Sequence, residues 1–240
     1  MKSREICADT ISEGWLRAAA CVYENGPLFH LLVRMTDQDD PAVRARVNAL
    51  LKSRGEQSVE TVANTIFPSA IAAASADHAE LTERYRRMYP KLKQVAANKR
   101  GTYFGRMVAF PDPTNGPIDQ IGTVIRKLRV SLNGQALTSC YEIPVVAPAE
   151  DVRLRMAFPC LSYVSFHLED RKILHLFAAY RNHFMVQRAY GNYVGLRALQ
   201  EWVASSVGVS PGELAVLSGH AEIDGHRLPV KQLLRAEGVM

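Results

Sequence analysis

The chain has 240 residues, of which 48% are hydrophobic, 22% charged and 8% aromatic, and 29 Lys and Arg against 24 Asp and Glu give a formal charge of +5. That balance excludes wholesale disorder, collagen-like and low-complexity chains, and the length allows a sizeable core without disulfide or metal staples. The positive excess is modest and lacks the dense stripe with interleaved aromatics that nucleic-acid binding requires, so no nucleic-acid partner is expected.

No run of 18 apolar residues occurs, so no membrane-spanning helix is expected. The segment 1–9 mixes charges and lacks the apolar stretch of a signal peptide, which predicts a cytoplasmic protein. In chain order, Asp9-Thr10-Ile11-Ser12-Glu13 precedes an amphipathic stretch with Trp15, Leu16, Ala19 and Val22. Thr10 and Glu13 stand at capping-box spacing and Gly26 is a stop signal, which predicts a first helix. Residues 27–35, rich in Leu, Phe and Val, predict a strand, and 37–41 a loop. Helices are predicted over 42–51, 58–66 and 70–88, the last ending before Pro90. Residues 107–115 predict a loop, and 118–128 a helix with Ile118, Ile121, Val124, Ile125 and Leu128 on one side. Beyond Gly134 the texture is β-like over 137–143, 157–168 and 172–179, with Asp170-Arg171 placed to close a hairpin. Residues 191–207 return to helix, with Gly208 as its C-cap, and 213–223 predict a last strand. Helices before residue 130 and strands after it predict an α+β fold, and without a repeat or long linker the expected unit is one domain, 1–240.

Cys7, Cys21, Cys140 and Cys160 form no CxxC pair and no zinc-spaced cluster, so free thiols and no metal are expected. One of the four is a candidate nucleophile, and spacing alone does not say which. The densest basic cluster is Lys91, Lys93, Lys99, Arg100 and Arg106, and a second is Arg126, Lys127 and Arg129. Two readings stay open for them: a solvated face, or attraction of an anionic small substrate such as a nucleotide. His167, His175 and His183 read as surface or satisfied residues.

Several motifs share an order and spacing. Gly101-Thr102-Tyr103-Phe104-Gly105 is followed by Ile118-Asp119-Gln120-Ile121, then Phe158-Pro159-Cys160, then Tyr180-Arg181-Asn182 with Asn192 further on. Gly208-Val209-Ser210-Pro211-Gly212-Glu213 and Gly219-His220-Ala221-Glu222-Ile223-Asp224 close the series. Between residues 101 and 228 the chain resembles the thymidylate synthase superfamily, whose members include pyrimidine nucleotide hydroxymethylases, as a divergent short member.

The resemblance implies a twisted mixed sheet flanked by helices and a homodimer made sheet to sheet. It implies C5 one-carbon transfer, methyl or hydroxymethyl, on a pyrimidine nucleotide, specialised rather than housekeeping, with 5,10-methylenetetrahydrofolate as donor. Cys160 would be the nucleophile: a thiolate added at C6 turns C5 of the ring into a nucleophile. Arg181 would pair with the substrate phosphate beside that thiolate. The planar amide of Asn192 would read the base. Tyr103, one place before Phe104, would supply the hydroxyl that helps remove the C5 proton, and Glu60 would be the catalytic glutamate. Glu222 and Asp224, in place of a histidine and a tyrosine, would meet an altered sugar. Other positions depart from the family. Phe184 replaces an aspartate that contacts folate, the segment 133–137 lacks a paired arginine that Arg100, Arg153 or Arg155 would have to replace, and the chain beyond Val230 is short for a closing tail. These departures leave a second reading: a protein of this fold that has lost folate chemistry and binds a nucleotide or another small ligand.

Overall fold

The computed structural model describes residues 4–134, 137, 140–154, 158–225 and 227–240. Seven strands join one mixed sheet in the order β1-β2-β7-β5-β4-β3, with β6 paired to β7 at its end. They are β1 (Arg4–Thr10), β2 (Leu28–Asp37), β3 (Tyr141–Pro144), β4 (Leu161–Glu169), β5 (Ile173–Tyr180), β6 (His183–Phe184) and β7 (Ser210–Glu222). The β1–β2, β5–β7 and β6–β7 pairs are parallel and the others antiparallel.

Helices cover one face of the sheet. The major ones are α1 (Ile11–Asn25), which packs on β1 and β2, and α9 (Tyr190–Val207), which packs on β5 and β7. Between β2 and α9 come α2 (Pro41–Lys52), α3 (Val59–Ala63), α4 (Ser69–Ala73), α5 (His78–Leu92), α6 (Tyr103–Val108), α7 (Gln120–Asn133) and α8 (Pro148–Asp151), and α10 (Arg227–Ala236) follows β7. The opposite face of the sheet is half-buried. Register places Tyr163, Ala179, Leu217 and Leu32 in one row across β4, β5, β7 and β2 on that face. The fold is thus α+β, as the sequence predicts.

Local chemistry explains the boundaries. Thr10 Oγ1 accepts the Glu13 amide at 3.1 Å, while the Glu13 carboxylate reaches back to the Asp9 amide at 3.1 Å, so α1 begins as its capping signal predicts. The helix expected over 70–88 is instead two. Asp77 accepts the Glu80 amide at 2.9 Å and starts a new helix, and that helix runs through Pro90 to Leu92 rather than stopping before it. The expected helix 58–66 shortens to α3, and α6 occupies the start of the expected loop 107–115. Asp170 and Arg171 have φ of 48° and 56°, the left-handed pair that a tight hairpin requires, and they join β4 to β5 as expected. Strand β1 went unpredicted, although its alternation, with Ile6 and Ala8 buried, is the signal of a half-buried strand. The expected strands 137–143 and 157–168 fall partly outside the described residues, as does Arg155.

Candidate active site

Cys160 lies one residue before β4, where the Arg181 amide at the end of β5 donates to its carbonyl at 2.9 Å. It faces a cleft of about 450 Å³, a size suited to a small ligand. The cleft is lined by segments far apart in sequence: Gln57 and Thr65 around α3, Lys99 to Tyr103 at the start of α6, the Phe158-Pro159-Cys160 loop, and Arg188 and Asn192 at the start of α9.

Two glycines of α9 make this convergence possible. A Cβ on Gly191 would stand 2.6 Å from Val62 Cβ and 2.9 Å from the Val59 carbonyl, and one on Gly195 would stand 2.7 Å from the Ala63 carbonyl. Their shared face lets α3 lie directly on α9, bringing the residues around α3 to the same cleft as Asn192. The bracketing glycines of Gly101-Thr102-Tyr103-Phe104-Gly105 make room in the same way for the Tyr89 side chain.

Three of the residues singled out in the sequence meet in this cleft: Cys160, Tyr103 and Asn192. Thr102 caps α6 by accepting the Gly105 amide at 3.0 Å, and the helical turn then sends Phe104 into the core and Tyr103 toward Cys160. Burial, with Cys160 nearby adding to it, pushes the Tyr103 phenol up to about 12. Tyr103 therefore keeps its proton at neutral pH. Asn192 is 3% exposed, and its Nδ2 lies 3.0 Å from His183 Nε2. His183, read as surface or satisfied, is buried and satisfied.

Four other candidates are not brought into the cleft lining. Val59, Val62 and Ala63 face inward, so Glu60 falls on the outer side of α3, where Asn48 Nδ2 donates to its two oxygens at 3.1 and 3.0 Å. Arg181 folds over its own neighbourhood: Nε donates to the Pro159 carbonyl and Nη2 to the Phe158 carbonyl, both at 3.1 Å. Asp224 accepts the Val186 and Gln187 amides at 2.8 and 3.0 Å and so holds the segment that leads into α9. Burial raises its carboxyl and those two bonds oppose the rise. Glu222, at the end of β7, lies 4.0 Å from His220.

The charge of the cleft comes from elsewhere. Lys99 and Arg100, part of the densest basic cluster, line it, and so does Arg188, which sequence reading missed. Its signal is position: Arg188 precedes Asn192 by four residues, which is one helical turn. Arg188 Nη1 donates to Gln57 Oε1, a neutral partner. Arg106 also reaches the cleft, but Asp151 holds it in a buried bidentate pair at 2.6 and 3.0 Å. Among the described lining residues there is no carboxylate, and no salt bridge joins Lys99, Arg100 or Arg188 to one. The second basic cluster lies outside the cleft: Lys127 donates to the Cys140 carbonyl and Arg129 to that of Ser206.

No His, Cys, Asp and Glu cluster suited to a metal occurs among the described residues, and no helix among them is long and apolar enough to cross a membrane. Phe184, at the position of the expected folate contact, is 37% exposed and does not line the cleft. The cationic lining fits a small anionic ligand.

A thiol loop, a Gly-bracketed α6 and an Asn-bearing α9 thus share one cleft, and similarity to known proteins extends over most of the chain. A protein of Methanosarcina mazei named "putative thymidylate synthase" is 26% identical over 223 residues, covering 93% of this chain and 90% of that protein. One of the same name from Methanococcoides burtonii is 26% identical over 228 residues, with the same coverage. No family model matches the chain. Over 93% of its length the chain is thus similar to proteins named putative thymidylate synthase, in line with the resemblance its motifs carry.

Proposed function

We propose that the protein transfers a one-carbon unit to C5 of a pyrimidine nucleotide through a covalent adduct at Cys160. One observation carries this reading: Cys160, Tyr103 and Asn192 line a single cleft whose charged groups, Lys99, Arg100, Arg106 and Arg188, are all positive. The cations hold the nucleotide phosphate and Asn192 pairs with the base edge, which sets the ring over the thiol. The Cys160 thiolate adds to C6, and the electron pair of the C5–C6 double bond moves into an enolate that makes C5 nucleophilic. C5 would attack the one-carbon unit as that unit's bond to its carrier breaks and would give its proton to solvent; a hydride from the carrier or a hydroxide from water would complete the methyl or hydroxymethyl group as the thiolate leaves from C6 to restore the ring. Tyr103, holding its proton, donates a hydrogen bond within the cleft as charge moves.

The resemblance implies a folate as the one-carbon donor in general, and 5,10-methylenetetrahydrofolate in particular belongs to this proposal. Phe184 and the lack of a carboxylate in the cleft favour a second reading, a nucleotide-binding protein of this fold without folate chemistry. Exchange of the C5 hydrogen of a uridine or cytidine monophosphate with deuterated water separates the two, because exchange needs the thiol and no folate. Exchange that disappears in Cys160→Ser supports the catalytic reading. A nucleotide that binds and never exchanges supports the second.

A further inference from the structure

His183 stands behind the cleft, 1% exposed. Its ring stacks on Tyr180 with centroids 4.2 Å apart and planes within 7°, and meets Tyr193 edge-on at 5.6 Å. Both ring nitrogens have a polar partner: Nδ1 lies 2.9 Å from Ser218 Oγ, and Nε2 lies 3.0 Å from Asn192 Nδ2. Burial between two phenol rings lowers the imidazole to about 3, so it is neutral and has one donor and one acceptor.

With Nδ2 of Asn192 toward the ring, the direction of each bond follows. An amide nitrogen only donates, so Nε2 accepts from Asn192. The single ring proton is then on Nδ1 and is donated to the Ser218 hydroxyl. Turning the Asn192 amide over would require the ring proton to move to Nε2 and the Ser218 hydroxyl to turn and donate to Nδ1, so the amide's orientation and the His183 tautomer change together. As placed, one N–H is spent on His183, and the other N–H and Oδ1 are what Asn192 has for the cleft it lines.

A 4-oxo pyrimidine presents an acceptor at C4 and a donor at N3; a 4-amino pyrimidine presents the reverse. With C6 held at Cys160 and the phosphate at the basic residues, the base cannot turn over to exchange them. We propose that His183 is a positioning residue that, through Asn192, sets the order of donor and acceptor shown to the base and so makes the site select a 4-oxo over a 4-amino pyrimidine. The proposal rests on the reading of the cleft as a pyrimidine nucleotide site.

The test titrates wild type, His183→Phe, His183→Gln and Asn192→Ala with uridine and cytidine monophosphates by calorimetry, and reads the His183 tautomer from the ¹⁵N shifts of its ring in the unliganded protein. A mispaired edge costs about tenfold or more in affinity. Wild type is expected to prefer the uridine nucleotide by that factor. His183→Phe is expected to bring the two affinities within about threefold of each other, by losing the bond to Asn192. His183→Gln, whose amide still offers an acceptor to Asn192, is expected to keep much of the preference. The ¹⁵N spectrum is expected to show Nδ1 protonated, a result independent of how any variant folds. A preference unchanged in a folded His183→Phe, or a proton on Nε2, would overturn the role of His183 while leaving the pyrimidine site standing. Equal affinities in both wild type and Asn192→Ala would overturn the reading of the cleft, and this proposal with it.

Discussion

The guanidinium of Arg181 lies over the Phe158 ring, 3.8 Å from its centroid, while donating to the Phe158 and Pro159 carbonyls. The arginine thereby grips both residues that precede Cys160. Its Nε and Nη2 are thus spent inside the protein, and the cations that line the cleft are Lys99, Arg100, Arg188 and the Asp151-paired Arg106.

A division of labour follows. Arg188→Ala is expected to weaken a nucleoside monophosphate tenfold or more while barely changing the parent nucleoside, since only the former carries the phosphate. Arg181→Ala is expected to weaken both ligands by similar factors, because it loosens the loop that carries the thiol. Calorimetry at one fixed ionic strength measures all four affinities, since salt screens these contacts. A phosphate-selective loss at Arg181 and none at Arg188 would reverse the assignment.

Gly191→Ala is expected to destabilise the protein by about 1–3 kcal/mol, as overpacking does. The added methyl meets Val62 Cβ at 2.6 Å and the Val59 carbonyl at 2.9 Å, and the backbone carbonyl has little room to retreat. In a chain of this size each kcal/mol moves the melting temperature by about 2–4 °C. A thermal melt that does not move would mean that α3 is not seated on α9.

The fold was legible where local signals act alone. Thr10, Glu13, Gly26 and Gly208 set helix ends, and Asp170-Arg171 made a turn, because capping and turn chemistry involve neighbours in sequence. The break at Asp77 and the passage through Pro90 were not legible, since the 70–88 pattern contains both helices and hides the cap between them. At the cleft, motif order already grouped Cys160, Tyr103 and Asn192, which line it together. The places of Glu60 and Asp224 were not legible, because a carboxylate's side of a short helix, or its use as a cap, depends on partners distant in sequence. Arg188 was hidden in a segment without a motif.

Stability is expected to fall as pH drops from about 6.5 toward 3, with His183 a main contributor. Burial lowers its folded-state value to about 3, against 6.5 for the free side chain. Across that window the unfolded chain takes up a proton that the folded chain refuses, so the unfolded state gains as pH falls. The contribution is fully present above the unfolded value and is lost below it, at a slope of at most about 1.4 kcal/mol per pH unit. Urea midpoints measured at steps between about pH 4 and pH 7 should fall less steeply for His183→Phe than for wild type. Parallel curves would contradict a neutral buried imidazole.

The open face of the sheet offers a surface for a second copy, and a homodimer is the state proposed. Tyr163, Ala179, Leu217 and Leu32 form a half-buried row there without a helix over it. Sedimentation equilibrium should give twice the chain mass of 26.7 kDa, and Leu217→Glu should return the single-chain mass. A wild-type protein that sediments as one chain at micromolar concentration would exclude this state.

The most direct test of Cys160 as the nucleophile is intact-protein mass spectrometry after incubation with a 5-fluoropyrimidine nucleotide, with and without a methylenetetrahydrofolate. Fluorine at C5 cannot leave as a proton does, so the adduct is trapped once C5 has reacted. Wild type and the Cys7, Cys21 and Cys140 serine variants should gain the mass of the nucleotide, plus that of the folate where it is present, and Cys160→Ser should gain neither. An adduct that persists in Cys160→Ser, or one that maps by peptide sequencing to another cysteine, would contradict the account.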